Sequence, residues 1–250
     1  MAIYTERCIV CSGTRATPQL CAPPLCHHHR LRWDASGLRG TTTIFVHTLS
    51  KKPTYLKKMH FIWLVYAAHM IGYWATVLAS IAWDPDQCDA HCARKVLTNM
   101  TAYTIPATAL FAWLVPEYDH LSLAHGLWQL PACVVLTDVL FYYPHRLLHT
   151  FQYLYPLHKA HHKWHRTMGM AALYADPFEH LVVNTAPPLA AALLLRAHPW
   201  IVAAWAFIAS ANTVIAHAKD GQHIDHHFHR NKNFGVGWML CDRLHGTLLE

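Results

Sequence analysis

Three groups of closely spaced histidines carry the clearest chemical signal in this 250-residue sequence. They are His145-Arg-Leu-Leu-His149, His158-Lys-Ala-His161-His162 and His223-Ile-Asp-His226-His227. Residues three and four positions apart share one face of a helix, so each group is expected to point two or three imidazoles at one place. The sequence contains 23 histidines against 20 lysines and arginines. Metal binding is therefore the first hypothesis.

Eight imidazoles exceed the four ligands of a tetrahedral site, but they suit two metal ions that keep positions open for oxygen or water. The motifs thus predict a dinuclear centre whose ligands are His145, His149, His158, His161, His162, His223, His226 and His227. Nitrogen donors bind iron, zinc, copper and nickel alike, so the spacing leaves the metal open. A mononuclear iron site using His223 and Asp225 is a weaker alternative, because the other histidines would then have no role.

Several residues near the motifs are candidates for supporting this centre. Asp138 precedes His145 by seven positions, about two helical turns, within an apolar run. An acid at that depth is costly and usually paired, so we expect it to accept a ring N–H and fix a tautomer. The same role is expected of Glu179 and Asp242. His180, next to Glu179, is a further candidate ligand or supporting residue, whereas histidines such as His69 are expected to be interfacial or packed.

The elements that would position these residues are apolar helices. The chain is 54% hydrophobic and only 14% charged, against about 25% charged residues in soluble domains. Two runs of 23 residues, Phe61–Trp83 and Leu121–Tyr143, are long enough to cross a bilayer. Leu181–Leu195 and Ala197–Ala216 are expected to form a hairpin of two more apolar helices, while Thr104–Val115 is expected to be a short interfacial or re-entrant piece.

The fold class expected from these runs is all-α, a multi-pass transmembrane helical bundle with about four spans. Lysines at 51, 52, 57 and 58 precede the first run, which places the N-terminus on the cytoplasmic side. Segments 144–180 and 217–250 then lie on that same side. They are expected to form a cytoplasmic, histidine-rich helical cap that holds the dinuclear site.

The domain organisation expected from composition is a leader followed by one membrane domain. Residues 1–59 show no helical or strand period and are expected to be a disordered leader, although a zinc site at Cys8, Cys11, Cys21 and Cys26 is an alternative. Residues 60–250 form the membrane-embedded domain, with the motifs at 138–249. The net charge of +6 is scattered or lies beside apolar runs, so no nucleic-acid partner is expected.

Taken together, the motifs resemble those of the membrane-bound fatty acid hydroxylase and sterol desaturase superfamily. The resemblance covers 121–248 and extends beyond the histidines. It includes Asp138-x3-Tyr142-x2-His145-Arg146-x2-His149, Leu154-Tyr155-x2-His158-Lys159-x-His161-His162, Asp176-Pro177-x-Glu179, Asn233-Phe-Gly235 and Asp242-Arg-Leu-x-Gly246-Thr247. The chain is most similar to C-4 methylsterol oxidase-like and fatty acid hydroxylase domain-containing members.

This resemblance implies a non-haem di-iron oxygenase that uses O2 to hydroxylate or desaturate a C–H bond of a lipid in lipid or sterol biosynthesis. It adds His217, which follows the last apolar helix, as a ninth ligand. It also implies the endoplasmic reticulum membrane as the location. The sequence has neither a dinucleotide fingerprint nor a His-Pro-Gly-Gly motif, so electrons are expected from a separate donor such as cytochrome b5 with its NAD(P)H reductase.

The substrate expected from the resemblance is a sterol or a sterol-like lipid. Fatty acid 2-hydroxylases usually carry a longer His-x4-His first motif, which His145-x3-His149 does not match. A fatty acyl hydroxylase or a sterol desaturase of the same superfamily is the alternative. A catalytically inactive lipid-binding or scaffold protein is the alternative from another class. A metal transporter is disfavoured, because the motifs lie outside the predicted spans.

Overall fold

Helices make up most of the structure, a computed structural model that describes residues 54–115, 126–219 and 221–249. No β-strand occurs in these ranges, so an all-α fold class is confirmed for them. The longer helices are α1 (Thr54–Trp83), α2 (Ala90–Asn99), α3 (Ile105–Leu114), α4 (Gln129–Thr150), α5 (Ala186–Leu194), α6 (Pro199–His217), α7 (Ile224–His229) and α8 (Leu240–His245). The predicted leader and its cysteines lie outside the described residues, apart from 54–59, which belong to α1.

Two described helices, over Tyr55–Trp83 in α1 and Pro199–His217 in α6, are long and apolar enough to cross a membrane. They correspond to two of the four predicted spans. Within the most apolar 18-residue window, only 22% of α1 and 39% of α6 is buried against the rest of the protein. A core helix of a soluble protein would be mostly buried, so both helices direct apolar surface outward.

The other two predicted spans form helices with different limits. The run Leu121–Tyr143 is described from residue 126 and forms α4, which continues through Pro144 to Thr150. His145 and His149 therefore lie on the helix itself, not in a segment that follows it. The run Leu181–Leu195 forms a π-helical segment and then α5. Neither helix has the length and composition of a candidate span, so the four-span arrangement stays a prediction.

Two π-helical segments lead into helices that carry proline at their second position. Met100–Thr104 joins α2 to α3, which contains Pro106, and His180–Thr185 leads into α5, which contains Pro187. A proline ring clashes with the carbonyl four residues earlier in an α-helix, and a wider π turn relieves that clash. The predicted interfacial piece at 104–115 is thus the end of a helical stretch that begins at residue 90.

The packing of α1 along α6 depends on a close backbone approach at Gly72. A Cβ atom at this position would lie 2.5 Å from the carbonyl oxygen of Phe207 on α6. Only glycine permits that distance, because any side chain would push the two helices apart. Tyr73 and Val77 on α1 and Val214 on α6 are fully buried beside this contact.

The segment Gly169–Leu173 connects the second histidine motif to Glu179 and is buried against α1, α2 and α6. Side chains satisfy much of its backbone. The Tyr73 hydroxyl donates to the carbonyl of Met170 at 2.7 Å, and the Asn99 amide donates to the carbonyl of Leu173 at 3.1 Å. Buried backbone groups require such partners, so these contacts fix the route of the chain toward the histidine motifs.

Candidate metal centre

Nine histidines, all named by the motifs or by the family resemblance, converge into two adjacent clusters. The first cluster contains His145, His149, His158, His162 and His226, and the second contains His161, His217, His223 and His227. Within each cluster, one ring nitrogen of every histidine lies within 4.8 Å of the same atoms of the others. Eight of the nine histidines are buried, and His149 is partly buried. The two clusters touch, with the ring centroids of His162 and His227 4.5 Å apart.

The two His-x2-His-His motifs divide their side chains between the clusters in opposite ways. His158 and His162 belong to the first cluster while His161 belongs to the second. In the third motif, His226 belongs to the first cluster while His223 and His227 belong to the second. Each motif therefore bridges both sites, which explains why the spacing includes an adjacent pair.

The local structure of the motifs is only partly the helix expected from their spacing. His145 and His149 lie one turn apart on α4, and His226 and His227 lie on α7 with His223 at its start. The second motif instead follows short 3-10 turns, including His161–Lys163. His162 has non-helical dihedral angles within this turn (φ −80°, ψ 21°), so the motif does not follow one regular helix.

Backbone carbonyls hold one nitrogen of four of these imidazoles. The Nδ1 atoms of His145 and His223 donate to the carbonyls of Phe234 and Gly235 at 2.7 and 2.9 Å. Those of His217 and His226 donate to the carbonyls of Thr213 and Lys232 at 2.7 and 2.8 Å. A carbonyl can only accept a hydrogen bond, so each Nδ1 carries the proton and Nε2 of the neutral ring is a bare acceptor.

Burial keeps the clustered imidazoles of the second and third motifs in the neutral form. It lowers the pKa of His223 and His226 well below the usual value, and neighbouring imidazoles lower both further. The pKa values of His158 and His161 are lowered well below the usual value, first by burial and then by neighbouring imidazoles. Neutral imidazole is the form that binds metal.

Several of these unprotonated Nε2 atoms face one another, and a bound cation would stabilise such an arrangement. Nε2 of His145 lies 3.1 Å from Nε2 of His158, whose Nδ1 faces Glu179, and Nε2 of His223 is buried without a hydrogen-bond partner. Both ring nitrogens of His227 are also buried without partners. Converging lone pairs repel one another unless a positive ion lies between them. The donor set therefore fits two metal ions, with five and four nitrogen donors.

Glu179 supports the first cluster in the manner expected from the sequence. Its Oε1 lies 2.7 Å from Nδ1 of His158, and both side chains are almost completely buried. A metal ion at Nε2 of His158 would favour the carboxylate form, because it places positive charge on the ring that the carboxylate faces.

The prediction that Asp242 accepts a ring N–H was wrong in its partner, because Asp242 supports both clusters indirectly, through the backbone. It accepts hydrogen bonds from the amides of Phe234 and Gly235 at 2.9 and 2.7 Å and from the Thr247 hydroxyl at 2.7 Å. The carbonyls of Phe234 and Gly235 are the ones that hold two imidazoles. A Cβ atom at Gly235 would lie 3.0 Å from the carboxylate, so glycine allows this close approach.

The prediction for Asp138 was wrong in its partner. Its Oδ2 accepts from the amide of Cys241 at 3.2 Å rather than from a ring N–H, and its Oδ1 has no hydrogen-bond partner. Seven residues along a helix correspond to about 10 Å, which is beyond hydrogen-bond reach of His145. Asp138 instead connects α4 to the start of α8.

His180 does not join either cluster. Its Nε2 is hydrogen-bonded to the Thr104 hydroxyl at 2.8 Å, so it links the two π-helical segments. His180 directly follows Glu179, but the helical turn at Pro177–Glu179 directs the two side chains to different neighbours. Sequence reasoning did not identify the four carbonyls that hold the imidazoles. The Asn233-Phe-Gly235 motif contains two of them, those of Phe234 and Gly235.

Comparison with known proteins finds a family model that matches part of this chain. Residues 130–247, a little under half of the chain, match the family model described as fatty acid hydroxylase. The resemblance drawn from the motifs is thereby confirmed. No solved structure shows significant similarity to the chain.

Relatives with curated names include hydroxylases, monooxygenases and a desaturase. Fatty acid hydroxylase domain-containing protein 2 of Macaca fascicularis is 36% identical over 170 residues, 62% of this chain and 50% of that protein. Methylsterol monooxygenase 1 of Rattus norvegicus is 28% identical, with 46% of this chain and 44% of the relative covered. Delta(7)-sterol 5(6)-desaturase of Leptosphaeria maculans is 28% identical, with coverages of 58% and 47%. The chain spans about half the length of these relatives.

Proposed function

Since residues 130–247 of this chain match the fatty acid hydroxylase family model, we propose that the protein is a membrane-bound, non-haem di-iron oxygenase that acts on a lipid. The observation that carries this proposal is the pair of adjacent clusters of buried, neutral imidazoles. Two iron ions bound there would supply the activation of O2 needed to attack an unactivated C–H bond. Hydroxylation consumes one O2, two electrons and two protons, and it yields the hydroxylated lipid and one water.

The protein side chains would hold and shield this chemistry. The nine clustered histidines are the proposed ligands, and Glu179 and the Asp242-bound carbonyls keep their ring nitrogens oriented. Fixed donors bind metal without reorganisation. The buried surroundings also exclude water from the centre, which limits side reactions of the activated oxygen. His180 and Asp138 have no ligand role in this proposal.

A membrane location accounts for the apolar surface of the helices. Trp63, Ile71 and Leu78 on α1 and Ile215 on α6 are each between 52% and 65% exposed. Such a surface is expected to contact lipid.

Four spans alone do not fit the packing, because Lys58 at the start of α1 donates to the carbonyl of Trp113 at the end of α3 at 3.3 Å, while Gln87 after α1 accepts from the amide of Gly169 at 2.9 Å. The helical stretch at 90–114 therefore returns along α1, and we propose that it crosses the membrane together with α1, α4, the helical stretch at 177–194 and α6. We also propose that the histidine clusters face the cytoplasm and that the host membrane is the endoplasmic reticulum.

The electrons are proposed to come from a separate carrier, such as cytochrome b5 with its NAD(P)H reductase. Exposed basic residues around the clusters support an acidic partner, because opposite charges steer association. Within the described segments 144–180 and 221–249, these exposed residues are Lys159, Lys163, Arg166, Arg230 and Arg243. Two of the four acids in the same segments, Glu179 and Asp242, are buried. The surface is therefore net basic.

The proposed substrate is a sterol or a sterol-like lipid. The relatives named methylsterol monooxygenase and sterol desaturase support this choice, as does the short His145-x3-His149 motif. A fatty acyl hydroxylase is the second candidate, which the relative named fatty acid hydroxylase from Mycosarcoma maydis favours. Fold alone does not determine substrate or turnover, so an inactive lipid-binding protein is the outcome to be tested against.

The experiment that tests this function measures metal content and O2-dependent lipid turnover of detergent-purified, iron-supplied protein. The panel contains sterols and fatty acyl lipids, with a chemical reductant. We expect about two iron ions per chain and an oxygenated lipid. Both should be lost in the variant His161→Ala with His226→Ala, which removes one ligand from each cluster. His229→Ala, at an exposed histidine of the same region, is the matched control and should keep both. Bound zinc or no metal, without any product, would overturn the proposal.

A further inference from the structure

A cavity of about 190 Å³ lies between α1, α4, α6 and the π-helical segment at 180–185. Five of the residues that line it have a buried polar atom without a hydrogen-bond partner. These atoms are His69 Nε2, Thr137 Oγ1, Asp138 Oδ1, Asn184 Nδ2 and Trp205 Nε1. Buried polar groups almost always have a partner. Their concentration around one cavity indicates that they face a polar ligand.

The hydrogen-bonding character of these atoms can be assigned one by one. The Ser210 hydroxyl donates to the carbonyl of Ala206, so Nδ1 of His69 donates to Ser210. Nε2 of the neutral His69 ring is then a bare acceptor. Asp138 Oδ1 is also an acceptor, since Oδ2 receives the amide of Cys241. The atoms of Trp205 and Asn184 are donors only.

A hydroxyl group matches this set, because it donates one hydrogen bond and accepts others. Its proton can be accepted by His69 or by Asp138, and its oxygen can accept from Trp205 or from Asn184. The rest of the wall is apolar and includes Val134, Leu173, Pro188 and Ile208. An apolar wall around a few convergent polar groups is typical of a small-molecule site.

The cavity lies along the two helices that end in metal-ligand candidates. Asp138 precedes His145 by seven residues on α4, and Ser210 precedes His217 by seven on α6, so both lie about 10 Å along the helix axis from those ligands. Between these levels, Phe141 lines the cavity and contacts the His145 ring at 5.1 Å between centroids. The cavity wall thus continues to the clusters.

We propose that this polar cavity binds the hydroxyl group of a hydroxyl-bearing lipid substrate and so orients the lipid toward the histidine clusters. The assignment of the lipid as substrate rests on the proposed function. The cavity volume is below the 300 to 1,000 Å³ of pockets that enclose a whole ligand, so it holds one end of the lipid. Trp205 and Asn184 are specificity-determining residues in this arrangement, and neither belongs to the clusters.

The test compares the binding of cholesterol with that of 5-cholestene, which lacks the hydroxyl group, to the metal-free full chain in detergent. We expect the wild type to bind cholesterol about 10-fold more tightly or better, because the analogue leaves buried polar groups unpaired. Trp205→Phe and Asn184→Leu each remove one donor and should reduce this preference to about 3-fold or less. Trp200→Phe, on the exposed side of α6, should keep the wild-type preference.

Equal binding of the two probes to the wild type would overturn the proposal, as would an unchanged preference in both cavity variants. Water alone in the cavity would give the first of these results. A thermal unfolding curve for each variant shows that it is folded, and two independent variants guard against the failure of one. The failure of the proposed function gives a different pattern. A hydroxyl preference without iron or product would contradict the oxygenase, whereas product without the preference would contradict the cavity assignment.

Discussion

At the scale of single residues, the centre depends on which nitrogen of each imidazole carries the proton. Four backbone carbonyls accept from Nδ1, which leaves Nε2 free to point into a cluster. A side-chain partner could rotate away, whereas a carbonyl fixed by Asp242 or by a helix turn cannot. The sequence motifs predicted that these histidines converge, because their spacing is short. They did not predict the carbonyl partners, because backbone groups leave no pattern of residue types in the sequence.

Among the described residues, Glu179 is the carboxylate hydrogen-bonded to a clustered imidazole, and its removal should weaken metal binding. We expect Glu179→Gln to lower the iron affinity about 10- to 100-fold, because the amide has no negative charge to balance the metal-bound His158 ring. Iron binding is measured by competition with a chelator at fixed pH. Asp86→Asn, at an exposed acid beyond α1, is the matched control. Equal affinities in the two variants would contradict the role of Glu179.

Burial of neutral histidines predicts that the stability of the metal-free protein depends on pH. The pKa values of His223 and His226 are lowered well below the usual value by burial, whereas the unfolded value is about 6.5. Below about pH 6.5 the unfolded chain therefore binds more protons than the folded one. The free energy of unfolding is maintained above this pH. It should fall below it by about 1.4 kcal/mol per pH unit for each histidine that stays neutral.

The measurement is denaturant unfolding of the metal-free protein in micelles between pH 8 and pH 5. His223→Gln removes one buried imidazole and should give a shallower decrease below about pH 6.5. His229→Gln, at an exposed position, should retain the wild-type slope. A stability that does not change between pH 7 and pH 5 would show that the clustered imidazoles are not held neutral.

At the scale of the elements, the contact of α1 with α6 is the one most sensitive to a single atom. Gly72→Ala places a Cβ about 2.5 Å from the Phe207 carbonyl oxygen, so the helices must separate. We expect a loss of about 1 to 3 kcal/mol in the free energy of unfolding, although alanine favours helix by about 1 kcal/mol. Thermal unfolding measures the effect. Ala67→Leu, on the exposed side of α1, should be nearly neutral, and equal effects would contradict the packing argument.

Hydrophobic runs predicted α1 and α6, because a helix that faces lipid needs only length and apolar composition. They did not predict the π-helical segments, since these depend on prolines packed within a particular tertiary contact. The apolar run also predicted that the second span ends at Tyr143, whereas α4 continues to Thr150. That extension places His145 and His149 one turn apart on a rigid element. The helical interpretation of the second motif also failed, because this motif follows short 3-10 turns and its histidines enter both clusters.

At the scale of the whole molecule, the polar cavity and the histidine clusters share α4 and α6. Both helices carry a cavity residue and, about two turns later, a ligand candidate. A lipid held between these helices would therefore extend from the cavity, along the helix axes, toward the clusters. The loop between α1 and α2 lies at the same end of the bundle as the clusters, because Gln87 in that loop accepts from the amide of Gly169, seven residues after His162, at 2.9 Å.

Cys88 in that loop tests this arrangement, because it is exposed and lies after the first proposed span. In a variant with the cysteines at 8, 11, 21 and 26 replaced by serine, we expect a membrane-impermeant maleimide to label Cys88 in endoplasmic reticulum vesicles without permeabilisation. With Cys88→Ser and Lys159→Cys added, labelling should again occur without permeabilisation, because Lys159 is exposed beside the clusters. Cys88→Ser alone controls for buried thiols. If Lys159→Cys reacts in intact vesicles while Cys88 reacts only after permeabilisation, the loop and the clusters lie on opposite faces and the proposed arrangement is wrong.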